Sequence, residues 1–188
     1  LRAILEETLC PERVYLTCRT EFLPVTRDFY VWGKTIPMWR MVLQPPSFQS
    51  VEGDCVQLTP AYANRLAELY ALGGGDAFNP AQMQRGVFYG VLADGQLVAA
   101  AGTHLVGLTY SVAAVGNVFT HPDYRGRGYA TVTTSAVVAE LLRRGIHDVV
   151  LNVGQENESA IHIYERLGFE RYCPFLEGPA SKQTEGDS

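Results

Sequence analysis

Metal-ligand patterns, long apolar runs, internal repeats and an excess of positive charge are all missing from this sequence. Four cysteines (Cys10, Cys18, Cys55 and Cys173) are scattered through 188 residues with no Cys-x-x-Cys pair, and no histidine stands at metal-ligand spacing. A disulfide framework is not expected in a domain of this size, so the expectation is reduced thiols in a cytoplasmic setting, with no metal. No apolar run approaches the roughly 20 residues of a membrane helix, and no secretory leader is recognisable. Lysine and arginine total 15 against 20 acidic residues, a net charge of -5. That balance lacks the basic field of a nucleic-acid binder and slightly favours a cationic substrate over an anionic one.

What is present is enough apolar residue, 47% of the chain, to bury a sizeable core in one domain with an appended segment. Three zones are legible. Residues 1–46 hold a short helix over 1–9 and β-prone stretches over 14–19 and 35–43, too little for a core of their own, so this extension is expected to pack on the rest. Pro45-Pro46 and residues 47–53 read as a linker. The main domain spans 54–176, and the polar residues 177–188 read as a disordered tail.

Within the main domain, Pro60 is placed to open a helix through Leu72, stopped by Gly73-Gly74-Gly75. Residues 87–93 and 96–106 flank Asp94-Gly95, the strongest hairpin signal in the chain, and a strand over 110–120 extends the antiparallel meander. A long helix follows over 128–144, stopped by Gly145; then come a buried strand over 149–153, a helix over 157–167 stopped by Gly168, and a strand over 169–175.

Two stretches carry chemistry. The first is Thr120-His121-Pro122-Asp123-Tyr124 followed by Arg125-Gly126-Arg127-Gly128-Tyr129-Ala130. Its glycines allow a tight turn and close approach of backbone to a ligand. The helix behind it begins with unpaired N–H groups and partial positive charge, suited to phosphate or pyrophosphate. Arg125 and Arg127 add charge to that cradle. The second stretch runs over residues 157–169, where Asn157 and Tyr164 stand seven residues apart on one helix face, about 10 Å along the axis. Each has a plainer role open to it: Asn157 suits a helix N-cap, and Tyr164 lies in line with Ala160, Ile161 and Leu167 as a core aromatic.

Together these stretches resemble the GNAT superfamily of acyl-CoA N-acyltransferases. Arg125, Gly128 and Ala130 fit its Arg/Gln-x-x-Gly-x-Gly/Ala pyrophosphate signature, and the Asn157…Ala160…Tyr164-Glu165-Arg166-Leu167-Gly168-Phe169 run resembles its second block. The resemblance covers residues 54–176. It implies an α/β fold: a mixed, mostly antiparallel twisted sheet flanked by helices, with a splayed parallel strand pair that binds CoA. It further implies that acetyl-CoA is the cosubstrate. Backbone of Val118, Phe119 and Thr120 would pair with the pantetheine amides. The loop from Arg125 through Gly126, Arg127, Gly128, Tyr129, Ala130 and Thr131 would hold the pyrophosphate. Asn157 would contact the pantetheine arm, and Tyr164 would give a proton or hydrogen bond to the departing CoA thiolate.

The chemistry so implied is direct attack of a primary amine, on a small molecule or a peptide, on the thioester. One departure stands out: neither strand of the expected parallel pair contains an acid, and Asn152 occupies one such position. His104, Tyr110 or a water relay are the candidates left, and the general base is unassigned. Two other readings compete. A Rossmann-type dinucleotide module would use Gly126-x-Gly128 with Asp148, 20 residues beyond Gly128, but the third glycine position holds Thr131 and the upstream strands read as a meander. A non-catalytic acyl-CoA-binding or sensing domain would keep the fold without the chemistry. The N-terminal extension could shape the acceptor site, form part of a homodimer, or be a remnant of a second such domain.

Overall fold

The computed structural model describes residues 1–7, 11–74 and 78–183. In chain order its elements are α1 (Arg2–Glu7), β1 (Arg13–Cys18), α2 (Leu23–Arg27), β2 (Tyr30–Trp32), β3 (Ile36–Leu43), β4 (Val56–Gln57), α3 (Ala63–Tyr70), β5 (Tyr89–Ala93), β6 (Gln96–Gly107), β7 (Val112–Thr120), α4 (Tyr129–Arg143), β8 (Asp148–Gly154), α5 (Glu158–Arg166) and β9 (Glu170–Lys182). They fall into two compact units. One comprises Met41–Asn152 and Glu158–Glu170, the other Leu1–Arg40, Val153–Asn157 and Arg171–Ser188.

The larger unit is organised by its hairpin. Asp94 and Gly95 take φ of 50° and 79°, the mirror-image turn that matches the twist of paired strands. β5 therefore folds back on β6, β6 pairs antiparallel with β7, and β4 adds to the far edge of β5. β7 pairs parallel with β8 through Val112↔Asp148 to Val115↔Leu151. One face of the sheet buries Leu66, Leu69 and Tyr70 of α3 with Met83, Phe88, Ala100 and Phe119. α4 packs against β5, β6 and β7 through Thr134, Val137, Val138 and Leu141.

Both long helices stop the same way. Gly145 takes φ +81°, its N–H bonds Leu142 O (3.0 Å) and Ile146 N–H bonds Leu141 O (3.1 Å). Gly168 takes φ +98°, its N–H bonds Glu165 O and Phe169 N–H bonds Tyr164 O, both at 3.0 Å. These paired bonds satisfy the last carbonyls of each helix and need a left-handed residue that glycine adopts without strain.

In the last turn of α4, Glu140 accepts from Arg143 Nε and Arg144 Nε at 2.7 Å each. The Arg143 hydrogen bond, followed by that of Arg144, lowers its pKa from 4.5 to about 2. A depressed carboxyl stabilises the fold above its unfolded value and loses that contribution as pH falls through the folded one. Glu140→Gln is therefore expected to cost about 1 kcal/mol at pH 7, the screened worth of a partly exposed pair. Urea melts of both proteins should converge as pH falls from 4.5 toward 2.

The smaller unit is built on β9. Ala180 and Ser181 pair with Val14 and Arg13 of β1 along one edge, and Ala180–Lys182 pair with Trp32, Val31 and Tyr30 of β2 along the other. Trp32 Nε1 donates to Thr26 Oγ1 at 3.2 Å, Arg40 stacks over Phe175 and Arg171 over Trp39. β9 continues through Lys182, into the segment expected to be a disordered tail, because β1 supplies an antiparallel partner from Cys18↔Leu176 to Arg13↔Ser181. The polarity of that segment reflects its exposed face, and such a strand has no sequence signature until its partner is known. Residues 184–188, the end of the expected helix over 1–9, Cys10 and Gly75 lie outside the described residues.

Candidate functional site

The loop between β7 and α4 sets up an anion cradle by backbone alone. His121 N–H is anchored to Val98 O (2.8 Å), and a 3-10 turn over Pro122–Tyr124 follows. Gly126 and Gly128 then take φ +75° and +78°, with nothing within 4 Å of where a side chain would start. Gly128 occupies the N-cap of α4 and offers no capping side chain. The first intrahelical bond is Val132 N–H to Gly128 O (3.1 Å), so the amides of residues 126–131 have no acceptor among the described residues. Six consecutive unpaired N–H groups at the positive end of a 15-residue helix are the donor set that a pyrophosphate needs.

The two arginines are tied down rather than projecting freely. Arg125 Nε donates to Thr120 O (3.3 Å) and its guanidinium lies over Phe119, while Arg127 reaches Asp123 O (3.5 Å) and stacks on Tyr124. They flank the cradle as a fixed positive field. Val118, Phe119 and Thr120 lie beyond the last β7–β8 pair, Val115↔Leu151. On that side their backbone is a strand edge ready for an extended ligand. Thr120 Oγ1 is buried there without a partner, a polar atom that a bound group would satisfy.

Upstream of that edge, β7 bulges. Its register against β6 slips between Ala100↔Phe119 and Gly102↔Gly116, leaving Asn117 and Val118 opposite Ala101. Asn117 takes φ +52° inside the strand, a conformation that asparagine tolerates better than most residues. Tyr70 of α3 donates its hydroxyl to Asn117 O at 2.6 Å, and Asn117 Nδ2 donates to Gln82 Oε1 at 3.3 Å. Burial pushes the Tyr70 phenol well above its ordinary value, so it stays a donor. This brace, with its Asn79–Gln82 capping box, escaped the sequence reading. The signals were present: Gly116-Asn117 inside a strand run marks a bulge, and Asn-x-x-Gln marks a cap.

Tyr164 stands on α5 in the same unit as the loop. It is 8% exposed, its ring meets Phe169 edge-on at 6.0 Å, and burial raises its phenol to about 12. The Phe169 contact is the apolar half of the Gly168 cap, so the motif that ends the helix also fixes the tyrosine. The hydroxyl has no hydrogen-bond partner among the described residues. The segment from Ser47 to Gly53 runs over this helix end. Gln49 N–H donates to Leu167 O (3.0 Å), Val51 N–H donates to Ser135 Oγ (2.8 Å) on α4, and the Ser47 carbonyl fills the space a Gly168 side chain would need.

Asn157 belongs to the smaller unit, just ahead of α5, where its N–H donates to Gly154 O at 3.0 Å. Its expected contact with a pantetheine arm rests on the sequence motif. Tyr110, one of the candidate bases, stands 83% exposed at the β6–β7 turn. The dinucleotide reading fails on the sheet: β4 through β7 are antiparallel, and Val112↔Asp148 places Asp148 level with the start of β7, at the end opposite the glycine loop. A ribose-binding acid belongs at the carboxyl end of its strand. Among the described residues no group of His, Cys, Asp and Glu could hold a metal, and no helix is long and apolar enough to cross a membrane.

Comparison with known proteins agrees with this geometry. A 59-residue stretch is 44% identical to an uncharacterized N-acetyltransferase of Methanocaldococcus jannaschii, covering 31% of this chain and 26% of the relative. A longer match, 31% identical over 120 residues, is to the mycothiol acetyltransferase of Paenarthrobacter aurescens, covering 62% of this chain and 36% of that protein. These curated relatives are thus matched over little more than a third of their length at most. A crystal structure from Novosphingobium aromaticivorans, described as an acetyltransferase of the GNAT family, superposes with TM-score 0.75 at 25% identity, over 97% of this chain and 80% of that one. The model of the acetyltransferase (GNAT) family matches residues 57–169, more than half of the sequence and all of the glycine loop and α5. The chain belongs to the acetyltransferase (GNAT) family.

Proposed function

We propose that this protein moves an acetyl group from acetyl-CoA to a primary amine by direct attack. The observation that carries the reading is the run of six acceptor-free amides at residues 126–131, followed within the same unit by a buried phenol at Tyr164. Acetyl-CoA supplies the thioester carbonyl; the rest is work for this chain. Amides of residues 126–131 bind the pyrophosphate, with Arg125 and Arg127 setting the local field. The free edge of β7 at Val118, Phe119 and Thr120 binds the pantetheine amides as a neighbouring strand would. A backbone N–H near Phe119 stabilises charge on the carbonyl oxygen.

Tyr164 completes the chemistry at the leaving sulfur. With its pKa near 12 it stays protonated throughout the working range. The thiolate of a thiol with pKa near 8.5 is a much weaker base than that phenolate, so full proton transfer to it would be uphill by about 5 kcal/mol. The hydroxyl therefore acts chiefly by a charge-assisted hydrogen bond.

A thiol-release assay with acetyl-CoA against a panel of polyamines, α-amino acids and lysine peptides tests the reading. At least one amine is expected to raise thiol release well above hydrolysis. Tight acetyl-CoA binding with no turnover for every amine would favour the non-catalytic acyl-CoA-binding alternative, and no binding at all would defeat both.

A further inference from the structure

We propose that His104 takes the proton from the attacking amine, an assignment that rests on the transferase reading and supplies the base it lacks. The β6–β7 register slips a second time, between Thr103↔Val115 and Leu105↔Ala114, and the residue left over is His104. A bulge re-aims the side chain it displaces. Here the imidazole lies across β7 onto Gly116, where any Cβ would run into its ring, Cε1 standing 2.8 Å from that position. Gly116 is cross-paired with Gly102, whose own missing side chain makes room for Phe88. The missing side chain of Gly116 thus leaves the space into which the histidine folds.

The location fits the chemistry. Gly116 is followed by Asn117 and then Val118, where the proposed thioester-binding edge begins, and neither β7 nor β8 beyond Asp148 carries an acid. The imidazole keeps one face covered by β7 while the residue as a whole stays exposed, so a proton it accepts can pass to solvent. Burial alone lowers its pKa below 6.5. No charged group contributes: its β6 neighbours Thr103 and Leu105, and Ala114, Val115 and Gly116 on β7, are all uncharged. The ring is therefore neutral at pH 7 and able to accept.

The step balances simply. The substrate ammonium gives one proton to the imidazole, the freed nitrogen lone pair forms the C–N bond, the new amide nitrogen sheds its second proton to water as the C–S bond breaks with its electron pair on sulfur, and the imidazolium returns its own proton to water.

The test uses the amine that the wild-type chain turns over best. His104→Gln is expected to lower kcat/KM at pH 7.5 by about 10²-fold, the usual worth of a positioned base, with the acetyl-CoA Kd unchanged. The acidic limb of the wild-type kcat/KM profile, lying below pH 6.5, should disappear in the variant. Added imidazole should restore part of the activity of His104→Ala. An active wild type whose acidic limb and kcat/KM survive His104→Gln would overturn this assignment alone. A wild type inert toward every amine would overturn the transferase reading with it.

Discussion

Tyr164→Phe is expected to lower turnover by about 10- to 100-fold while leaving acetyl-CoA affinity and thermal stability close to wild type. The first part follows from the loss of one hydrogen bond to a charged sulfur, worth about 1.5–3 kcal/mol. The second follows from the fold. Tyr164 is buried against Phe169, and its hydroxyl has no partner among the described residues, so phenylalanine keeps the ring contact and strands nothing. Removing a hydroxyl that bonds nothing within the fold changes stability little. Because the phenol lies near 12, the wild-type rate should show no Tyr164 titration between pH 6 and 10. Steady-state kinetics with calorimetric binding of acetyl-CoA decide the matter. Unchanged turnover in Tyr164→Phe would remove the tyrosine from the mechanism.

The largest stability effect is expected at Gly168. Gly168→Ala must hold a non-glycine residue at φ +98° and push its Cβ into the Ser47 carbonyl, whose carbon stands 2.7 Å from that position. Left-handed strain costs about 1–2 kcal/mol and steric overlap with backbone about 1–3 kcal/mol, so a loss of about 2–5 kcal/mol is expected. Gly145→Ala is the control: the same left-handed cap at φ +81°, with nothing within 4 Å of the new Cβ. It should cost only about 1–2 kcal/mol. Denaturant midpoints compare the two. Equal losses would mean that the segment from Ser47 yields freely and does not brace α5. A larger loss at Gly168 should also bring reduced turnover, since the same cap seats Phe169 against Tyr164.

Much of this was legible in the residues themselves. Asp94-Gly95 dictates a hairpin because its conformations have positive φ, and Gly145 and Gly168 end their helices for the same reason. The glycine loop could be read as an anion cradle because local φ freedom and a helix N-terminus are properties of adjacent residues. α5 and Tyr164 could be placed by helical spacing. The extent of β9 could not: its last residues are held by β1, far away in the chain, and their polarity belongs to an exposed face.

The sequence by itself therefore determined most of the elements and the glycine loop, which rest on short-range conformational preference, and the motifs that mark the family. Tertiary structure alone decided what those elements do to one another. It tied both arginines to the loop, set Tyr70 on the Asn117 carbonyl, laid the Ser47 strand of backbone over Gly168, and turned His104 onto Gly116. Each depends on a strand register or a packing contact between residues far apart in the chain, and a one-residue slip in pairing leaves no trace in local sequence until the partner strand is in place.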